Sequence, residues 1–319
     1  TGSTARTEPR TEANQAKLPA TSVPTEQLAL KAELVRLVTD GQPHGGLDVA
    51  SSPLDGDLAD ALGIDSERGA LVTDASSSTA RAAGLKAGDI IQSVAGQGVT
   101  GPNGLLKALG DQRAGAEVTV DVWRAGAGPQ DLKRLLTERA DAGVVAASAS
   151  LGRMLSLGLV FGPRNFAEAV PHYRAAAEGG HIASMTRYAL FAKDGLGMAK
   201  DEALAARWFR KAADGGQDAA MTNLGALYEA GRGVKKDDAE AALWYRRAAD
   251  KGHVFAMYRL ALLYESGRGV GKDDGEAVKL LKAASDGGLS EATSWLADKY
   301  AQGRGIPKDE FEAYKLNAA

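Results

Sequence analysis

The chain has no cysteine, which removes disulfides and thiolate metal sites but leaves the compartment open, because a cysteine-free chain is stable in either redox environment. Only four histidines, His44, His172, His181 and His253, are available for acid–base or metal work. No run reaches the roughly 18 apolar residues of a membrane span, so membrane insertion is not expected. The N-terminus lacks the basic and apolar regions of a signal peptide, and Thr1-Gly2-Ser3 has the look of an expression remnant. There is no basic surplus either. Lys and Arg number 38 against 41 Asp and Glu, and a net charge of −3 argues against a nucleic-acid partner. What remains is 319 residues, 44% hydrophobic and 25% charged, enough for two globular domains.

Three unrelated sets of residues share one period. Gly195, Gly231, Gly267 and Gly303 stand 36 apart, as do Asp201, Asp237, Asp273 and Asp309, and Gly180, Gly216, Gly252 and Gly288. Such self-similarity predicts a solenoid whose units bury their apolar faces only against neighbours. The units begin near Ala142 and make about five helix pairs over residues 140–319. In the clearest unit, Ala220, Leu224, Leu227 and Tyr228 form the inward stripe of a first helix, A, which Gly231-Arg232-Gly233 stops. Val234 plugs the loop, and Asp237 with Glu240 predicts a reciprocal capping box for a second helix, B. Helix B turns Trp244, Tyr245, Ala248 and Ala249 inward and is expected to end in a left-handed cap at Gly252.

Upstream, residues 1–24 are rich in Thr, Ala, Glu and Pro and predict a flexible linker. Leu30, Leu34, Leu37 and Val38 predict a short helix within 25–43. Residues 44–139 change to short apolar runs separated by glycine. Strands are expected near Leu47–Val49, Ala70–Thr73, Asp89–Val94 and Val118–Trp123, with helical turns at Asp57–Leu62 and Pro102–Leu109. Gln130–Arg139 scores as helix by propensity, but a closing strand is expected there, completing a small capped β-barrel.

The stretches AGLKAGDII (Ala83–Ile91), Val94-Ala95-Gly96 and RAGAEVTVDVWRAG (Arg113–Gly126) resemble the PDZ domain found behind the catalytic domain of bacterial HtrA serine proteases. LGALYEAGRGVKKDDAEAALWYRRAADKG (Leu224–Gly252), LALLYESGRGVGKDDGEAVKLLKAASDGG (Leu260–Gly288) and RWFRKAADGG (Arg207–Gly216) resemble Sel1-like repeats, relatives of the tetratricopeptide class. The first unit carries one inserted residue near Gly162-Pro163 and His172 in place of the tryptophan; the fifth stops at Ala319, equivalent to Ala283. The fold class implied is multidomain α and β, a small PDZ-like β-barrel with two helices followed by an α-solenoid of helix-turn-helix repeats.

The PDZ resemblance implies that an extended peptide adds beside the first strand, its C-terminal carboxylate held by a loop of pattern x-Φ-Gly-Φ, where Φ is apolar. The matching residues are Gly46-Leu47-Asp48-Val49. Asp48 stands at the glycine position, where its carboxylate would repel a peptide terminus, so internal segments or weak ligands stay open. Leu47, Val49 and Leu106 are the groove candidates, while Leu105 and Leu109 are expected in the core. On the solenoid, the concave side should be formed by the A helices. Leu224, Leu227 and Leu260 point inward, and Arg187, Asn223, Arg259 and Ser294 are expected to face a partner.

No catalytic set is visible. His181 and His253 are 72 residues apart at one repeat position and read as structural, and His172 fills a repeat-core slot. The Gly-Arg-Gly loops lack the strand–loop–helix context and GKS or GKT sequence of a phosphate cradle. Their Arg and Lys residues, including Lys235, Lys236, Lys272 and Lys308, are balanced by Asp237, Asp238, Asp273 and Asp274 and predict a solvated face. The reading is a non-enzymatic adaptor without cofactor or metal, binding a protein or peptide, with its oligomeric state open. The resemblance places it in the bacterial periplasm or envelope. The alternative is the regulatory C-terminal part of an HtrA-like protease whose trypsin-like catalytic domain precedes this chain.

Overall fold

A computed structural model describes residues 49–64, 69–112 and 118–318. The linker expected at 1–24, the helix expected within 25–43 and the loop residues Gly46, Leu47 and Asp48 lie outside the described residues.

The N-terminal module runs β1 (Ala50–Pro53), α1 (Gly56–Leu62), β2 (Ala70–Asp74), α2 (Ser78–Ala82), β3 (Ile90–Val94), β4 (Gln97–Gly98), α3 (Gly101–Gly110) and β5 (Val120–Trp123). All strand pairs are antiparallel. β3 is central, with β5 along one edge and β2 then β4 along the other, and β1 pairs with β2. Val72, Ile91, Val94 and Val122 project from the sheet onto Leu105 and Leu109 of α3, closing a small apolar core. The turn before β3 has Gly84 and Gly88 at φ of 71° and 90°, where a Cβ would be strained. It is locked by Asp89, fully buried, whose carboxylate accepts from the Lys86 N–H at 2.8 Å and from Arg124 Nε and Nη2 at 2.5 Å each. A second bond from Arg124 Nη2 to the Gly84 carbonyl leaves neither buried ion short of partners.

Two expectations are corrected here. The sheet is open among the described residues, not a closed barrel, and its first described strand is Ala50–Pro53, with Val49 just before it, while Leu47 and Asp48 of the strand expected near 47–49 lie outside the described residues. Gln130–Arg139 is not a strand but lies within α4 (Pro129–Asp141). Leu132, Leu135 and Leu136 sit at helical spacing, Pro129 starts the helix where its missing N–H costs nothing, and packing rewards the helix. Leu132 and Leu136 are buried in one core with Leu58 and Leu62 of α1 and with Ala147, Leu151 and Met154 of the next helix.

That next helix opens the solenoid. The pairs are α5 (Val145–Leu157) with α6 (Phe166–Glu178), α7 (Ile182–Asp194) with α8 (Glu202–Asp214), and α9 (Asp218–Ala230) with α10 (Asp238–Ala249). α11 (Val254–Ser266) with α12 (Asp274–Asp286), and α13 (Ser290–Gln302) with α14 (Glu310–Ala318), complete them. Each helix packs on its chain neighbours. Trp244, Tyr245, Ala248 and Ala249 are buried against Ala220, Leu224 and Leu227. α10 ends at Ala249, and Gly252, at φ of 89°, turns the chain two residues beyond its C-cap. α4 follows the same plan: Leu132, Leu136 and Gly143 precede Ala169, Tyr173 and Gly180 by 37 residues each, the spacing the inserted residue of the first unit requires. α4 therefore stands as a B helix without its A partner, joining the sheet module to the stack.

The capping box is half made. Asp237 Oδ1 accepts from the Ala239 and Glu240 N–H groups at 3.0 Å, but the Asp237 N–H donates to the Tyr228 carbonyl, tying helix B to helix A. Glu240 is thereby released to accept from Trp244 Nε1 at 3.1 Å. This explains why Asp201 caps α8 equally well, at 2.8 Å to the Leu204 N–H, with no Glu at the third position.

Candidate functional site

Two surfaces carry the residues singled out in the sequence. On the sheet module, β1 lies at the edge of the sheet and α3 packs beside it. Pro53 closes the strand, a position where its missing N–H costs no ladder bond. Val49 is half-buried just before the strand, Leu105 and Leu109 are buried under α3, and Leu106 is 67% exposed on its outer face. The described residues thus bring Val49 and Leu106 to the elements that would flank a groove.

On the solenoid, Arg187 and Ser294 are exposed, whereas Asn223 and Arg259 are half-buried and engaged. Asn223 Oδ1 accepts from Lys193 Nζ at 3.4 Å. Arg259 is bonded to Glu229, which also accepts from Tyr245 Oη at 3.0 Å and from Arg268 Nη2 at 2.8 Å. Burial alone would raise the Glu229 pKa, but hydrogen bonds from Arg259 and Arg268 outweigh it and hold the carboxyl below its ordinary range. Glu229 thus ties α9 to α10, α11 and the following loop. One unit further on, Lys299 of α13 is likewise buried against Glu265 of α11. The residue in register with Arg187, Asn223 and Arg259 is Trp295, 38% exposed, not Ser294.

The Gly-Arg-Gly loops are joints between units. A Cβ on Gly233 would sit 2.1 Å from the Glu202 carbonyl oxygen, on Gly269 2.0 Å from that of Asp238, and on Gly305 2.1 Å from that of Asp274. Each loop therefore rests on the start of the preceding unit's helix B, and only glycine fits. The intervening arginine reaches the acid at that start: Arg232 Nε lies 2.8 Å from Glu202 Oε1, Arg268 3.8 Å from Asp238 and Arg304 3.9 Å from Asp274. Hydrogen bonds from Arg232 and Lys200 pull the Glu202 pKa down to about 2.

The three histidines among the described residues are capping or packing groups, and His44 lies outside them. Nδ1 of His181 and of His253 lies 3.3 Å from the N–H three residues on, at the starts of α7 and α11. His181 Nε2 also lies 3.2 Å from Asp57 of the sheet module. Burial pushes the His172 imidazole below its ordinary range, against the pull of Glu168 and Asp141. Among the described residues no three His, Asp or Glu side chains are grouped to hold a metal, and no helix is long and apolar enough to cross a membrane.

The Sel1 repeat family model matches residues 145–181, 182–217, 218–253, 254–289 and 290–316, together more than half of the chain. The chain belongs to the Sel1-repeat family. Among solved structures, a Sel1 repeat protein from Oxalobacter formigenes is 32% identical with a TM-score of 0.55, covering 61% of this chain and 76% of that one. The protective antigen c5321 of uropathogenic Escherichia coli is 28% identical with a TM-score of 0.57, covering 60% of this chain and 41% of that one. A different part of the picture comes from curated relatives. A probable periplasmic serine endoprotease DegP-like of Bartonella henselae is 37% identical over 83 residues, 26% of this chain and 16% of that protein. The periplasmic serine endoprotease DegP of Escherichia coli strain K12 is 33% identical over 93 residues, 28% of this chain and 20% of that protein. The chain thus spans a fifth or less of the length of these curated relatives. Sel1 repeats are protein-interaction scaffolds.

Sequence reasoning missed the Asp89–Arg124 lock and the Glu229 hub. The first had a legible signal, an Asp after a Gly-Leu-Lys-Ala-Gly turn with one Arg ending the last apolar strand. The second had little, because the repeat holds an acid at this place in only two units, as Glu229 and Glu265: Ser156, Lys193 and Ala301 stand at the equivalent positions of the others.

Proposed function

We propose that the chain is a two-site interaction scaffold of the bacterial envelope, taking extended peptide segments on a PDZ-like sheet module and a second polypeptide on the A-helix face of the solenoid. The observation that carries the reading is the membership of the repeats in an interaction family together with an edge strand, β1, flanked by α3 and its exposed Leu106. Strand addition at such an edge supplies affinity through main-chain hydrogen bonds and specificity through alternate side-chain pockets. The partial similarity to periplasmic DegP-like proteases supports the envelope as its compartment.

The test uses the intact chain. Asp48→Gly should raise affinity for fluorescent peptides with free apolar C-termini and leave their amidated versions little changed. Equal affinity of both proteins for the free-carboxylate peptide would remove Asp48 as the selective element. The DegP-like similarity also favours a second reading, in which this chain is the regulatory part of a longer serine protease. The coding sequence decides between them: a glycine-flanked serine upstream, with His and Asp, favours the protease, and its absence favours the adaptor.

A further inference from the structure

Repeats provide their own control, since a position that departs from its equivalents in the other units marks where one unit has been turned to a separate use. Such departures cluster at the joint between the first and second units. The acid that starts helix B elsewhere (Glu202, Asp238, Asp274) is Phe166 here, and the loop arginine that pairs with it (Arg232, Arg268, Arg304) is Leu196. At the end of helix A, Leu157 stands where Asp194, Ala230, Ser266 and Gln302 stand in the later units, and Arg153 stands where Leu190, Ala226, Leu262 and Asp298 do.

These changes line one cavity of about 490 Å³, walled by α5, α6 and α7 with Asp57 of the sheet module at its edge. Its floor is aromatic. Phe191 meets Phe166 and Tyr173 edge to face at centroid distances of 5.5 and 5.4 Å. Its rim carries exposed Leu157 and Leu196, 46% and 36% accessible. Three arginines from three different segments also line it: Arg153 from α5, Arg164 from the loop before α6, and Arg187 from α7. Arg164 occupies the position of Lys200 and Lys308, which pair with Glu202 and Glu310 two residues on; with Phe166 there instead, it has lost its acid. Among the described residues Arg164 and Arg187 form no ion pair. Arg153 is paired with Asp55, yet its Nε is sealed from solvent without an acceptor, and burial pulls its pKa below the ordinary range. The single acid on the lining, Asp57, faces His181.

We propose that this cavity docks an acidic, extended peptide segment of a partner protein, one apolar side chain entering over Phe166, Tyr173 and Phe191 while flanking Asp or Glu carboxylates meet Arg164, Arg187 and Arg153. Three cations spread around an apolar floor exceed what one terminal carboxylate needs, so side-chain carboxylates on both sides of the apolar anchor are the matching chemistry. The inference rests on the scaffold reading and names the partner class for one part of the solenoid.

The probe is a fluorescent peptide, acetylated and amidated, of sequence Glu-Asp-Phe-Glu-Asp, compared by anisotropy with its Gln-Asn-Phe-Gln-Asn counterpart and with Glu-Asp-Gly-Glu-Asp. The wild-type chain should bind the first, more weakly as salt rises, and bind the other two at least about tenfold less tightly. Phe166→Glu combined with Leu196→Arg restores the joint seen at Glu202–Arg232 and should abolish binding without lowering the melt. Arg164→Gln with Arg187→Gln, both at exposed positions, makes the same comparison should the repaired joint fold poorly. Equal affinity for the acidic and amide peptides, binding seen only with a free C-terminus, or unchanged binding by either variant overturns the proposal. None of these residues lies in the sheet module, so the scaffold reading is judged separately by the response of that module to apolar C-terminal peptides.

Discussion

Leu136→Ala tests whether α4 is the first element of the stack. Leu136 is fully buried, in one core with Leu58 and Leu62 of α1 and with Leu151 and Met154 of α5. Truncating a leucine in such a site costs the transfer of its methyl groups plus the residual cavity, a range of about 2–5 kcal/mol. Because helices on two sides hold the walls, the site cannot collapse freely, and about 3–4 kcal/mol is expected. Leu109→Ala is the matched control: the same chemistry at 2% exposure, in the core between sheet and α3 that does not reach the solenoid. Urea unfolding followed by far-UV circular dichroism reports mainly the solenoid, which holds most of the helix, and Trp208, Trp244 and Trp295 add a fluorescence signal from the same region. Leu136→Ala should lower the midpoint of the helical transition, and Leu109→Ala should lower it much less. A helical transition that moves by under about 0.5 kcal/mol in Leu136→Ala, within the range of a neutral surface change, would refute the shared core.

Trp244→Ala should cost about 3–5 kcal/mol in the same assay, since it empties a repeat-core position. Asp89→Asn should destabilise the sheet module by about 3–5 kcal/mol, leaving Arg124 buried beside an uncharged partner; a melt within error of wild type would show the pair is dispensable. The folded pKa values of Glu229 and Glu202 lie below the ordinary 4.5, the latter at about 2, so their contribution is present above 4.5 and is lost as pH falls through the folded values. Thermal melts should therefore decline from pH 4.5 towards 2, and Glu229→Gln should flatten that decline; an equally steep profile in the variant would assign the acid sensitivity elsewhere. Arg259→Ala should lower the melt by about 1–2 kcal/mol, a half-exposed ion pair being worth less than a buried one.

The solenoid was legible because its signals are periodic: glycines, N-cap acids and alanine pairs recur at one interval, and a period survives the loss of any single member. The sheet module was legible in its strands and turns but not in its closure. At Gln130–Arg139 propensity favoured helix and an assumed barrel favoured strand; local preference and packing agreed with each other, and the assumption gave way. The concave-face residues were chosen by position along helix A, which cannot distinguish an arginine with no ion pair among the described residues, such as Arg187, from one committed to a neighbour, such as Arg259. That distinction depends on Glu229, 30 residues away in sequence, an acid whose place in the repeat is kept in only one other unit, as Glu265. The cavity beside Phe166 was written in the sequence as departures from the repeat, visible only once the joint that the other units share had been seen.

Every joint of the solenoid is made over the same interval, from Gly197 back to Phe166, Gly233 to Glu202, Gly269 to Asp238 and Gly305 to Asp274. Excising residues 218–253 would bring Gly269 onto Glu202 with Arg268 in the place of Arg232, so the shortened chain would find its joint already fitted. Length is thus adjustable in whole units at the far end while the first joint, the one that departs from the others, keeps its place beside the sheet module. A lineage of such chains could change its reach without rebuilding what lies at its base.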